Sequence, residues 1–248
     1  MPEASVRTAF LGALSRLHQR FLVDVEGVSE VWLVRHGDAY GELGTADELA
    51  VRPGGGDDEF FGQPRADMPP ADAAEPPRID PPLSPRGRHQ ATLLGQRLAA
   101  SKVDAVWSSA LLRAQETASL AAAPGGLRTD IDDRLREVRT HWDNTDTSDL
   151  DTPDTPYIPF VEPLEEVVER MDAAVRALAV EAGPGGRVAA VSHAGAISMY
   201  LAHLLRLDSG PLRLLPRFTS ISVVLVKDDL VVVQSIGDVG HLLRESVE

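Results

Sequence analysis

The sequence predicts an α/β fold: a three-layer sandwich in which a mainly parallel central sheet carries helices on both faces. Three observations predict it. Short apolar runs, such as Glu30 to Val34 and Arg187 to Val191, are rich in strand-favouring residues and end abruptly in polar ones. Segments with apolar residues at three- and four-residue spacing alternate with those runs. Hydrophobic residues make up 43% of the chain and aromatics only 5%, so Ala, Val and Leu must fill the core, as is usual under a helix-covered parallel sheet. Ligands of such sheets bind beyond the carboxyl ends of the strands, so the residues just after each run are where chemistry is expected.

With 248 residues the chain has room for one such domain with insertions, not for two joined by a linker. The expected division is an N-terminal helical extension, residues 1–28, followed by one α/β domain, residues 29–248, interrupted at about 39–82 by an acidic, Pro- and Gly-rich insertion. From Ser5 to Leu22, the side chains of Val6, Phe10, Leu14, Leu17 and Phe21 line one helix face. Packing on the chain's own domain is the expected use of that face; a dimer contact or a membrane surface is the alternative. Glu30 to Val34 then forms a buried strand that delivers the polar tip Arg35-His36-Gly37-Asp38.

Between Asp38 and Asp80 stand eleven acidic residues against three arginines, with almost no apolar periodicity. This reads as a long loop, either simply solvated or a lid, and Phe60-Phe61 is its one feature suited to docking over a ligand. Ser84-Pro85 supplies an N-cap and a first-turn proline for a helix running to about Ser101. Asp104 to Trp107 is a short strand tipped by Ser108-Ser109, and the helix from Leu111 to Ala122 carries Arg113 and stops at Pro124-Gly125-Gly126. A further strand at Leu127 to Ile131 leads through a polar connection, Arg134 to Pro163, into the amphipathic helix Leu164 to Ala182. The strand Arg187 to Val191 runs into Ser192-His193-Ala194-Gly195, then helix to Leu207. Ser220 to Val226 and Leu230 to Ser235 flank Lys227-Asp228-Asp229 as a hairpin.

A net charge of -14 argues against nucleic acid or an anionic membrane as partner, since both repel an acidic surface. The absence of cysteine removes disulfides, thiolate nucleophiles and thiolate metal sites. Arg7, Arg16, His18 and Arg20 break up any N-terminal apolar stretch, and no segment approaches ~20 apolar residues, so a cytoplasmic protein is expected. His89, His141 and His203 lack metal-ligand spacing, and neither metal nor cofactor is expected. Oligomeric state is left open, a homo-oligomer included.

Against that acidic background three cationic tips stand out. His36 follows one buried strand; His193 follows another, with Ala194 and Gly195 at a helix start where backbone N–H groups favour an anion. Arg113 offers a guanidinium whose fork matches two phosphate oxygens. Together they suggest one bound anion.

Four stretches, in order, carry a resemblance: Leu33-Val34-Arg35-His36-Gly37; Leu83-Ser84-Pro85-Arg86-Gly87 with Gln90-Ala91; Ser108 to Ala118, containing Arg113; and Val191-Ser192-His193-Ala194-Gly195. They resemble the histidine phosphatase, or phosphoglycerate mutase-like, superfamily, and the resemblance spans Val31 to about Leu242. It implies the fold of that superfamily, with His36 as nucleophile, Arg35 and Arg113 clamping the phosphoryl oxygens, and His193 also touching them, a small phosphorylated substrate being the expected partner; the N–H of Ala194 at the helix start is expected to join them on the phosphate. The physics agrees: a neutral imidazole is a competent nucleophile near pH 7, and phosphoryl transfer needs chiefly positioning and positive charge.

The leaving alkoxide needs a proton, which a carboxylic acid gives and later recovers from the attacking water. Glu137 in Leu135-Arg136-Glu137 resembles the family's acid. The family usually continues with glycine and tryptophan, whereas Val138-Arg139-Thr140-His141-Trp142 follows here, so Asp143 is the alternative acid. Ala194 replaces the Asp of the acid-phosphatase branch, which points to the mutase-like branch. Asp38 stands where Glu is common, and the Thr-x-x-Asn that follows it in the family is missing, both expected to alter substrate contacts. Ser108, Ser109 and Ser192 read as helix caps rather than phosphate ligands, and His241 resembles a late structural position.

The expected activity is hydrolysis of a small phosphate monoester through a phosphohistidine on His36, with Glu137 as acid and base. Two other readings stand beside it. One is a cofactor-dependent phosphoglycerate mutase, although the Arg-His-Tyr-Gly segment and later Arg pair of such mutases are missing; the other is a non-catalytic binder of phosphorylated ligands.

Overall fold

The structure is a computed structural model that describes residues 17–39, 80–139, 162–207 and 214–243. Six strands form one sheet: β1 (Ser29–Arg35), β2 (Ala105–Ser108), β3 (Arg128–Ile131), β4 (Arg187–Ser192), β5 (Ile221–Lys227) and β6 (Leu230–Asp238), in the order β3-β2-β4-β1-β5-β6. β3, β2, β4 and β1 run parallel, and β1 then pairs antiparallel with β5, which turns back into β6. The expected parallel sheet and hairpin are thus one continuous surface.

Four α-helices among the described residues cover it: α1 (Pro85–Ala100), α2 (Leu112–Ala122), α3 (Leu164–Ala182) and α4 (Ala194–Leu204). The two-residue period of a strand sends alternate side chains to opposite faces. Val31 and Leu33 of β1 and Val188 and Ala190 of β4 meet Val167, Met171, Val175 and Leu178 of α3 and Ile197 and Leu201 of α4. Trp32 and Val34, with Ala189 and Val191, meet Leu94 and Leu98 of α1 and Ala114 and Ala118 of α2 on the other face. A fully buried Val or Leu contributes roughly 1.5–3 kcal/mol. β1 and β4, apolar on both faces, therefore make the rigid centre of the domain.

α1 begins as its sequence demands. Ser84 is the N-cap, its Oγ accepting the N–H of Gly87 at 3.1 Å, with Pro85 in the first turn. α3 is amphipathic, with Glu165 and Glu166 in the first turn, where carboxylates complement the helix dipole.

The N-terminal stripe behaves otherwise. Residues 17–20 are helical, and then Leu22 and Asp24 adopt positive φ and end the helix. Leu17 and Phe21, expected to pack on the domain, are 48% and 56% exposed, whereas Leu22 is the residue that enters the core. The left-handed turn rotates the chain so that the neighbour of the stripe, not the stripe, faces inward. Val6, Phe10 and Leu14 lie outside the described residues, as do the insertion from 40 to 79 with Phe60-Phe61 and the connection from 140 to 161 with His141 and Asp143. No described helix is long and apolar enough to cross a membrane.

Candidate active site

Parallel pairing builds the centre of the site. β1 and β4 are in register from Glu30↔Arg187 to Arg35↔Ser192, so the residues immediately after them, His36 and His193, emerge side by side at the carboxyl edge. The N–H of His36 donates to the carbonyl of Ser192 at 3.0 Å, and the two imidazole centroids are 5.0 Å apart. Sequence reasoning expected these two rings to share an anion, and the sheet brings them together.

The ring of His36 is held by its Nδ1, which lies 2.8 Å from the carbonyl of Gly37. A carbonyl only accepts, so Nδ1 carries the proton and Nε2 keeps its lone pair. Arg113 Nε–H donates to that lone pair at 3.3 Å. Burial, then the positive charges of Arg113 and Arg35, hold the pKa of His36 well below the ordinary histidine value. The imidazole is neutral at pH 7.

His193 is fully buried, and burial, followed by His36, Arg113 and Arg35, likewise pushes its pKa well down. Its Nε2 is 2.8 Å from Ser109 Oγ, which also accepts the N–H of Leu111 at 3.1 Å. Ser109 thus ties the Nε2 edge of the His193 ring to the start of α2, and the opposite ring nitrogen is Nδ1. That Nδ1 is buried and has no hydrogen-bond partner among the described residues.

The cations come from two further elements. Arg35 ends β1, its Nη1 donating to the carbonyl of Pro216 at 3.0 Å and its Cζ 3.8 Å from the centre of the Phe218 ring. Phe218 in turn packs on His36, with centroids 5.8 Å apart. Arg113 is buried on the first turn of α2, and its Nη1 reaches Asp80 Oδ1 at 3.3 Å, while Asp80 Oδ2 accepts the N–H of Leu112 at 2.7 Å. Neither Asp80 nor Phe218 had a readable signal in the sequence.

Glu137 arrives from the irregular segment after a 3-10 turn at Asp133–Leu135. Its Oε1 accepts the N–H groups of Ala196 and Val138, each at 2.9 Å, and its Oε2 that of Gly195 at 3.2 Å. The start of α4 was expected to hold an anion, and it holds this carboxylate on its second and third N–H groups; Ala194, whose N–H was expected on the phosphate, is the first residue of the helix. Gly195 leaves the room: a Cβ there would stand 2.7 Å from Glu137 Oε1. Glu137 thus lies beside the helix that follows His193 directly.

The remaining motif residues are scaffold. The N–H of Gly37 donates to Thr117 Oγ1 at 3.0 Å, and that of Asp38 to Gln90 Oε1 at 2.9 Å, so α2 and α1 pin the loop after β1. Gly87 is required by close approach, since a Cβ would fall 1.9 Å from the carbonyl oxygen of Asp38. Asp38 was expected to shape substrate contacts, but its side chain is buried and accepts the hydroxyl of Ser84 at 2.5 Å. Its short side chain turns inward to fix the start of α1.

Ser192, expected to cap the next helix, instead donates to the carbonyl of Leu135 at 2.7 Å, and His193 stands at the cap position. Ser109 is not the cap of α2 either; that position is Leu111. His241 is buried with Nε2 3.2 Å from Thr219 Oγ1, and Thr219 N–H donates to the carbonyl of Arg35 at 2.9 Å, a structural role behind the site. Among the described residues no cluster of three or more His, Asp and Glu side chains is placed to hold a metal ion.

The fold and this geometry define an α/β protein with two buried imidazoles and two guanidiniums at the carboxyl edge of its sheet. The family model of the histidine phosphatase superfamily (branch 1) matches residues 74–239. The chain belongs to that superfamily. The matched span begins after His36, and sheet pairing is what joins His36 to it. No curated protein matches the sequence. Among solved structures, Bacillus stearothermophilus YhfR is similar at 22% identity, with a TM-score of 0.58 over 86% of this chain and 99% of that one. The phosphoglycerate mutase of Bacillus anthracis gives 21% identity, a TM-score of 0.57 and coverage of 88% and 97%. The mycobacterial glucosyl-3-phosphoglycerate phosphatase solved with VO3 gives 22%, 0.55, and 83% and 96%. These likenesses establish the shared fold.

Proposed function

We propose that the protein is a phosphatase that hydrolyses a small phosphate monoester through a phosphohistidine on His36. The observation that carries the reading is the fixed tautomer of that ring. Nδ1 is committed to Gly37, and the Nε2 lone pair points at the guanidinium of Arg113. A phosphoryl group entering there takes over the N–H of Arg113 on one oxygen and presents phosphorus to the lone pair. Arg35 and the ring of His193 share the charge on the other oxygens.

In the first step a bond forms between Nε2 and phosphorus as the ester P–O bond breaks, and Glu137 protonates the leaving oxygen. In the second, water attacks the phosphohistidine, its proton returns to Glu137, and the N–P bond breaks to release inorganic phosphate. Glu137 suits the task because it lies at the start of α4, one turn from His193. The phosphatase neighbours in fold, among them the mycobacterial enzyme and a phosphoserine phosphatase of Entamoeba histolytica, are in keeping with this reading.

The test is a panel of phosphate esters run with wild type and His36→Ala, with labelled protein quenched in alkali because phosphohistidine is acid-labile. Turnover and an alkali-stable label in wild type, both lost in the variant, are expected. Turnover that survives in His36→Ala, or none by wild type, defeats the proposal.

A further inference from the structure

Glu137 hangs on a segment, residues 136–139, that is neither helix nor strand, so no ladder of backbone hydrogen bonds fixes it. Buried carbonyls in such a segment still need donors. Arg170, on the second turn of α3, supplies them: its Nη1 donates to the carbonyls of Arg134 at 2.7 Å and Arg136 at 2.8 Å, and its Nη2 to that of Glu137 at 3.3 Å. One guanidinium thus spans the backbone on both sides of the acid.

That guanidinium is itself locked. Its Nε and Nη2 donate to the two oxygens of Glu162 at 2.8 and 3.1 Å, and Glu162 also takes Arg136 Nη1 and Nη2 at 2.8 and 2.7 Å and the N–H of Arg139 at 3.1 Å. The Glu162 side chain is fully enclosed, its carboxylate accepting from five donor groups on three arginines, of which two bring their guanidinium charge to it. Planar, multiply bonded Arg–carboxylate pairs hold direction as well as distance. The phosphate-facing residues are held by other elements: His36 and Arg35 by β1, His193 by β4, Arg113 by α2.

We infer that Arg170, locked by Glu162, is the positioning residue for Glu137, fixing the backbone from which the carboxylate reaches the site. The inference rests on the reading of Glu137 as the acid. Without Arg170 the phosphate cage persists and the acid loses its aim. An alkyl ester, whose alkoxide is a poor leaving group, needs the proton; p-nitrophenyl phosphate needs it far less.

The experiment compares wild type, Arg170→Met and the double variant Arg170→Met/Glu162→Gln, the second included because methionine alone leaves a buried carboxylate short of a partner. kcat/KM, which reports the first chemical step, is measured for glycerol phosphate and p-nitrophenyl phosphate. In both variants the alkyl ester is expected to lose roughly 10²-fold, the scale of a general acid, and the aryl ester much less. Equal losses on the two esters, or none on either, overturn the inference.

Amide exchange reads the same position without turnover. The N–H groups of Gly195 and Ala196, which donate to Glu137, are expected to exchange as fast in the Arg170 variants as in Glu137→Ala, with the amides deeper in α4 unchanged. Undiminished protection overturns the inference. Should wild type turn over neither ester, the phosphatase reading falls and the exchange result alone decides the role of Arg170.

Discussion

The charge on Glu162 is expected to stabilise the fold in a pH-dependent way that Glu162→Gln abolishes. Burial alone would raise the pKa of this carboxyl, but hydrogen bonds from Arg170, Arg136 and the N–H of Arg139 outweigh burial and bring it from 4.5 to about 2. A carboxyl whose folded pKa lies below its unfolded value contributes stability that is complete above the unfolded value and fades as pH falls toward the folded one. The window here runs from about pH 4.5 down to about pH 2, and the contribution above it is about 3 kcal/mol. Of this, about 2 kcal/mol disappears between about pH 5 and pH 3. The assay is urea unfolding of wild type and Glu162→Gln at those two pH values. At the higher one the variant is expected to be less stable by about 3–5 kcal/mol, because its arginine partners are left buried and undercompensated. At the lower one the gap narrows by about 2 kcal/mol, since only wild type titrates at this position and the other carboxylates cancel in the comparison. A gap of the same size at both pH values refutes the assignment of the charge and its partners.

Three further outcomes follow from the geometry. Gly195→Ala places a Cβ 2.7 Å from Glu137 Oε1, so kcat/KM for an alkyl ester is expected to fall by roughly 10²-fold, toward the value of Glu137→Ala; activity equal to wild type counts against a fixed acid. Ser109→Ala removes the hydroxyl that holds the ring of His193 at Nε2 and is expected to weaken inhibition by inorganic phosphate about fivefold, the worth of one hydrogen bond; an unchanged inhibition constant shows that this contact does not orient His193 for phosphate. In long-range nitrogen NMR, His36 is expected to remain neutral with its proton on Nδ1 at about pH 6, since burial and the two arginines lower its pKa; an imidazolium signal at that pH contradicts the nucleophile assignment.

The strands and the hairpin were legible because each depends on near neighbours in sequence, and the two histidines because each stands at the tip of such a strand. A buried run that stops at a polar tip marks the carboxyl edge of a strand, and once β1 and β4 are parallel neighbours their tips meet by register alone. The scaffold was not legible because it depends on burial. In sequence Glu162 falls in the polar connection and Arg170 within the amphipathic helix, with nothing to mark either, and only the fold reveals that one is enclosed and the other faces carbonyls. Asp38 and Ser192 misled for the same reason: a polar residue at a strand tip looks like a ligand or a cap until its partner, Ser84 or the Leu135 carbonyl, is seen. Phe21 misled through the backbone, since a helical stripe predicts a buried face only while the helix lasts.

The unusual residues after Glu137 can now be weighed. In sequence, Val138-Arg139-Thr140 in place of glycine and tryptophan made Asp143 a rival acid. In the fold, Glu137 is fixed at its backbone and at its carboxylate by two helices: α3 holds its carbonyl through Arg170, and α4 holds its carboxylate through Gly195 and Ala196. Neither contact uses the side chain of Val138 or Arg139. Val138 adds a buried apolar side chain to the α3 and α4 face of the core, and Arg139 lends its N–H to Glu162, so the substituted residues reinforce the anchor. The meeting of His36 and His193 is therefore a consequence of strand register, while Glu137 is placed by a buried ion pair and a helix N-terminus. Because the two are built by separate physics, residues 138 and 139 are free to differ without moving the carboxylate from the start of α4.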